Sequence, residues 1–205
     1  MDDTSAHRSP REAAHDDLRF IRQTLAAAGH LSIVPGKGLV TIGLLALAAV
    51  AVNLRVTRAP WDASASLAQA LSVWAVLLVL SVLIGIWAMS RKAHRTGQMF
   101  WSPVLRKALW GYAAAMALGA LLTVSVLSEG RADLLVEVWL GCYGVALMAA
   151  GAVSVSPVRW MGICFLILAG VAGFAPPAAG LLLLGLGFGW LHISFGAYIA
   201  WRHDG

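Results

Sequence analysis

Charge is what this chain most lacks. Only 12% of its residues are Asp, Glu, Lys or Arg, against 60% hydrophobic. A soluble domain carries about a quarter of its residues as charges, which it needs on its exterior, so that class is excluded. Cysteine is scarce as well. Cys142 and Cys164 are the two present, both inside apolar runs, so no disulfide framework exists and no redox compartment is indicated. The signatures of chemistry are also missing: there is no phosphate-binding glycine loop before a lysine, no HExxH, no nucleophile elbow, no CxxC and no paired carboxylates. The expectation is a protein that is not an enzyme and has neither a resident cofactor nor a metal centre.

What the chain has is a series of long apolar runs and a mean hydropathy of +0.78. Runs over about 39–54, 67–90, 108–127, 134–152, 158–174 and 179–201 read as six membrane spans. A transmembrane helix takes roughly 17–25 residues, so the first run is short and its lower end extends into the linker holding Pro35, Gly36 and Gly38. Ser102-Pro103 marks the start of the third span, with serine as cap and proline in the first turn. Pro176-Pro177 leaves only a short connection between the last two spans. The fold class is an all-α membrane protein, a bundle of six transmembrane helices over 38–205. It is preceded by a cytoplasmic segment, 1–37, with a short amphipathic helix.

That helix is expected over about 11–28. Ala14, Leu18, Ile21, Leu25 and Ala28 recur at helical spacing between charged neighbours, and Gly29 comes next as a stop. Charge interrupts its apolar face throughout, so it does not read as a signal peptide. It reads first as an anchor on the membrane surface; the second reading is a handle for a cytoplasmic protein partner. The bilayer itself is the one partner the composition requires. Nucleic acid is not expected, because the net charge of +5 has a simpler explanation in topology. A homo-oligomer stays open.

Orientation is set by where Lys and Arg fall. With the N-terminus in the cytoplasm, the inner segments carry Arg8, Arg11, Arg19, Arg22, Lys37, Arg91, Lys92, Arg95, Arg106, Lys107, Arg159 and Arg202. The outer segments carry Arg55, Arg58 and Arg131, so both termini are expected in the cytoplasm. Trp87, Trp101, Trp160 and Trp201 then fall near the inner interface, and Trp61, Trp74 and Trp139 near the outer one. The halves do not align as an inverted repeat, and no span is broken in its middle by a Gly-Pro pair, so a transporter architecture finds no support there.

Span six carries the most information. In GLLLLGLGFGWLHISFGAYIAW, Gly185, Gly189, His192 and Gly196 are spaced four, three and four apart. On an α-helix these positions share a face, one that admits a close neighbouring helix and turns His192 toward protein. Gly111 and Gly119 in span three, and Gly144 and Gly151 in span four, suggest the same close packing. By depth, at about 1.5 Å per residue, His192, Cys164, Met148 and Ser81 come out at a similar height. A histidine with a thiol and a thioether could hold a soft metal. Without any ligand-spacing motif, filler and small hydrophobe are the better readings of Met148 and Cys164. His192, Cys164 and Ser81 remain ligand or ion candidates, together with Glu137. With Glu129 and Asp133, Glu137 makes the outer mouth acidic and reads either as a cation or proton access point or as the acidic first turn of a helix. His192 and Glu137 differ in height by roughly 14–15 Å, too far to pair.

The stretches DDLRFIRQTLAAAG, VPGKG, YGVALMAAGAVSVSPVRWMGICFLILAG and LGLGFGWLHISFG resemble an uncharacterised family of bacterial six-span membrane proteins. The resemblance covers most of the chain and implies a bacterial inner-membrane setting. It rests on Pro35, Gly36, Gly144, Gly151, Met161, Gly162, Gly189, His192 and Gly196, and it implies no activity and no catalytic residue. The expected function is that of a non-enzymatic sensor, scaffold or lipid- or small-molecule-binding bundle. The alternative is a small transporter or channel for a cation, proton or small solute using His192 and Glu137.

Overall fold

A computed structural model gives the fold and describes residues 15, 17–19, 34–56, 65–96, 101 and 103–203. The chain divides into two units, Met1–His30 and Leu31–Gly205. In the first, His15, Asp17, Leu18 and Arg19 are described; they are helical and exposed. The amphipathic helix expected over 11–28 otherwise lies outside the described residues.

Among the described residues the second unit holds six helices long and apolar enough to cross a membrane. They are α1 (Gly36–Val56), α2 (Ala65–Thr96), α3 (Pro103–Ser128), α4 (Leu135–Gly151), α5 (Ser156–Phe174) and α6. Helix α6 runs without a gap through Gly180–Leu184, a π-helical stretch Gly185–Leu191, and His192–His203. Helix α1 begins at Gly36, so the short first run does continue back into the linker. Helix α2 passes beyond the apolar limit of its run to take in Arg91, Lys92 and Arg95, whose stems can lie along the helix while their charges reach water.

The helix ends obey local chemistry. Gly130, at φ 69°, ends α3. Its own N–H donates to Leu127 O at 3.1 Å and that of Arg131 to Val126 O at 2.9 Å. This pairing caps orphan carbonyls and needs a left-handed residue at its centre, which glycine adopts without strain. A 3-10 turn, Ala132–Leu134, then leads into α4. Helix α5 starts from extended Val155 with proline in its first turn, where the missing N–H costs nothing. Ala175, ahead of Pro176, is extended, as a residue preceding proline prefers.

Two glycine seams set the packing. Between α1 and α6, a Cβ placed on Gly43 would lie 2.7 Å from the Gly189 carbonyl, and one on Gly196 would lie 2.8 Å from Val40 N; one on Gly36 would strike the Ala200 backbone. Between α4 and α5, a Cβ on Gly162 would lie 2.9 Å from Gly144 O, and one on Gly151 would lie 2.7 Å from Arg159 N. Backbones this close gain dispersion contact that larger side chains would prevent. Gly111 and Gly119 face Ala149 and Cys142 across α3 and α4, at 3.0 and 3.1 Å by the same measure. Among the described residues α3 packs along α4, α4 along α5, and α1 along both α6 and α2, while α6 also touches α4 and α5. Helices α2 and α3, consecutive in sequence, do not pack along each other among the described residues.

Candidate functional site

His192 is 1% exposed, among the largest fully buried side chains of the bundle. Its Nε2 lies 2.8 Å from the Tyr143 hydroxyl on α4, and its Nδ1 lies 3.3 Å from the Gly187 carbonyl inside its own π stretch. A carbonyl can only accept, so in the neutral ring the proton sits on Nδ1, and Nε2 accepts from Tyr143. The Tyr143 hydroxyl is in turn hydrogen-bonded to that of Tyr112 on α3. Three polar side chains from three helices thus form one chain, Tyr112, Tyr143, His192, ending on a backbone oxygen.

Aromatic rings enclose the chain. Tyr143 stands edge-on to Phe165 at 4.9 Å between centroids and lies 5.1 Å from Phe188, which stacks over His192 at 6.1 Å. Phe165 meets His192 edge-on at 5.7 Å and Tyr112 meets Tyr143 at 6.2 Å. Edge-to-face pairs suit the ring quadrupole and exclude water from the hydrogen bonds between them. Trp74 on α2 continues the cluster, 6.0 Å from Phe188 and 6.1 Å from Trp139. Trp139 donates its indole N–H to Thr123 Oγ1 at 2.9 Å, and Thr123 donates to Gly119 O at 2.7 Å. Trp74 is buried and Trp139 half-buried. The sequence places both in an outer aromatic belt; Trp74 instead turns inward, because its ring fills the space between α2, α4 and α6.

The remaining sequence candidates are not among the hydrogen-bond partners of this centre. The face expected to hold Gly185, Gly189, His192 and Gly196 together is split. Gly189 and Gly196 meet α1, and Gly185 lies near Val50 of α1, whereas His192 turns to Tyr143 and Phe165. Ile193 is the position that meets Gly43 of α1 between Gly189 and Gly196, and His192, one residue earlier and so about 100° round the helix, is turned away from that seam. Cys164 and Ser81 are half-buried on α5 and α2. The polar partners of His192 are Tyr143 and the backbone of Gly187 and Phe188, in place of a thiol or serine. Among the described residues no three His, Cys, Asp or Glu side chains come together as a metal cluster. Glu137 is exposed in the first turn of α4, with its carboxylate against Gly173, where a Cβ would stand 3.3 Å away. Arg131 pairs with Asp133 through both carboxylate oxygens at 3.1 Å, and that neighbour holds its guanidinium above the usual range.

Sequence reasoning missed Tyr112 and Tyr143. A signal for them existed: a tyrosine within an apolar span must find its hydroxyl a partner once buried, and the chain has only three tyrosines. Comparison with protein-family models, with curated proteins and with solved structures yields no match, so the residues themselves carry the reading of this site.

Proposed function

We propose that the chain is a non-enzymatic, multi-pass protein of a bacterial inner membrane, with both termini cytoplasmic. In this reading it acts as a sensor or scaffold whose helix bundle binds a lipid-like ligand. One observation carries this reading: Trp74, Tyr143, Phe165, Phe188 and His192 interlock at the centre of the bundle, with ring centroids 4.9–6.1 Å apart. Rings at that spacing are in mutual contact and fill the place where a conduit for hydrated solutes would run. The weight of Lys and Arg on one set of connections supports the orientation.

A second reading keeps one specific support. The Tyr112–Tyr143–His192 chain is continuous, and a hydrogen-bonded chain can hand on protons where ions and solutes cannot pass. Proteoliposomes carrying wild type, His192→Ala and Glu137→Gln decide between them. The proposal expects proton and cation flux at the level of empty vesicles in all three. A wild-type proton flux abolished by His192→Ala overturns it in favour of the relay as a proton path.

A further inference from the structure

Helix α2 is covered unevenly along its length. Ala70, Trp74, Leu77, Ser81, Gly85, Ala88 and Lys92 repeat at three and four residues and form one face. That face is packed at both ends. Ala70, Trp74 and Leu77 are buried, and near the other end a Cβ on Gly38 of α1 would lie 3.0 Å from Ala88 Cβ. Between them the cover is thinner: Ser81 and Gly85 are only half-buried, and a Cβ on Gly85 would find nothing within 4 Å. Gly85 thus lies on the inward face of α2 and still borders open space.

The other wall is α3. Among the described residues α3 does not pack along α2, but it is linked to it at one end through Trp139, which meets Trp74 and donates to Thr123 of α3. Tyr143 supplies the back. It touches α3 through Tyr112, α5 through Phe165 and α6 through Phe188 and His192, and yet it stays partly exposed. Trp74 closes the slot at one end, against Trp139 and Phe188.

The opposite end is cationic. Arg91, Lys92 and Arg95 stand at the end of α2, and Arg106 and Lys107 in the first turns of α3. Seven Cα steps join Thr96 to Pro103, so these ends lie within about 25 Å of each other. Lys92 donates to Val34 O at 3.0 Å and Arg91 lies over the Trp87 ring at 4.9 Å. Arg95, Arg106 and Lys107 are exposed, while Leu105 beside them is buried. Gly85 is ten residues from Arg95, about 15 Å, which matches one leaflet's share of a hydrocarbon core about 30 Å thick.

We propose that this slot holds an anionic phospholipid of the surrounding bilayer. Its phosphate is held by Arg95, Arg106 and Lys107, and one acyl chain passes between α2 and α3, over Gly85 and Ser81 toward Tyr143. Basic pockets between transmembrane helices favour anionic headgroups in this way, and an apolar slot flanked by lipid fills most readily with acyl chain. The proposal deepens the lipid-binding reading above and rests on it.

The test is native mass spectrometry of detergent-purified protein titrated with phosphatidylglycerol or phosphatidylcholine. Wild type is expected to keep phosphatidylglycerol in preference. Arg95→Gln, Arg106→Gln and Lys107→Gln should each reduce that preference by about fivefold, the worth of one cation near an anionic headgroup. Gly85→Leu should expel the bound lipid, since its side chain enters the slot. Gly170→Leu, whose Cβ also meets nothing within 4 Å but lies on α5, should retain it. Equal retention of both lipids by wild type, or unchanged retention in Gly85→Leu, overturns the slot. Such a failure is distinct from failure of the broader reading, which shows as flux in the proteoliposome assay.

Discussion

Tyr143→Phe isolates the hydroxyl that joins the buried chain. The ring is retained, and with it the contacts to Phe165 at 4.9 Å and Phe188 at 5.1 Å; the losses are the 2.8 Å bond to His192 Nε2 and the link to Tyr112. Two magnitudes compete. Side-chain hydrogen bonds between membrane helices average about 0.6 kcal/mol and reach about 1.7. A buried acceptor left unpaired costs about 1–3 kcal/mol. His192 is 1% exposed, so water cannot replace the lost donor, and the penalty for the unpaired acceptor dominates. The expected loss is about 1–2 kcal/mol. His192→Leu should cost more, since it also gives up the Gly187 contact and the ring packing. The double variant should lose less than the sum of the singles, because the acceptor that Tyr143→Phe strands is then absent. Unfolding by denaturing detergent, monitored for the four proteins of the cycle, gives the coupling energy, expected at about 0.6–1.7 kcal/mol. Tyr198→Phe, at an exposed position, serves as control and should change nothing. A coupling energy of zero within error would refute the argument, because it would mean that the two side chains do not share a hydrogen bond worth its geometry.

Glycines at the α1–α6 seam should tolerate no added methyl. Gly43→Ala puts a Cβ 2.7 Å from Gly189 O and Ile193 Cγ1, an overpacking expected to cost about 1–3 kcal/mol, read as a lower melting temperature in detergent. Gly85→Ala adds the same methyl where nothing lies within 4 Å. It should be neutral or stabilise by up to about 1 kcal/mol through helix propensity; a fall equal to that of Gly43→Ala would show that the space at Gly85 is filled. Gly130→Ala forces an L-residue to φ 69° and should destabilise by about 1 kcal/mol, while Gly130→Asn recovers part of it. For orientation, a membrane-impermeant thiol reagent added to intact cells should label a cysteine placed at Arg131 and leave one placed at Lys107 unlabelled; the reverse pattern overturns the assignment of sides.

The six spans are legible in the sequence because each is a long apolar run between charges, and length with composition is enough to identify a transmembrane helix. Helix ends are less so. Helix α1 starts at Gly36, in a stretch that reads as a turn, because Gly36 is held against Ala200 across the seam. A tertiary contact overrides the local signal there. The importance of His192 is legible from its chemistry, but its partner is not. Tyr143 lies 49 residues away, and only the register between α4 and α6 brings the two together. Glycine frequency points to close packing without telling the glycines apart. Gly185 stands out in the spacing, yet a Cβ there would make only ordinary contact with Val50. Gly187 falls outside the pattern, yet a Cβ there would come 2.6 Å from Leu140. Gly43, the partner of Gly189, is inconspicuous because the apolar run 39–54 holds no other glycine.

Two demands meet in α6. One side must lie against α1 at backbone distance, through Gly189 and Gly196, while His192 between them must reach α4. Ile193 is the residue that meets Gly43 on the α1 side, and His192, one step earlier and so about 100° round the helix, is turned out of a seam that has no room for an imidazole. The turns over Gly185–Leu191 are widened to π geometry just before the ring enters the aromatic cluster. The same widening sets the Gly187 carbonyl beside Nδ1, at 3.3 Å, where it fixes the tautomer that lets Nε2 accept from Tyr143. Three glycines inside the stretch, Gly185, Gly187 and Gly189, keep the widened turns free of side chains on the crowded sides. Backbone irregularity, close packing and the buried relay are therefore one device, and its position is set by where the glycines stop and the histidine begins.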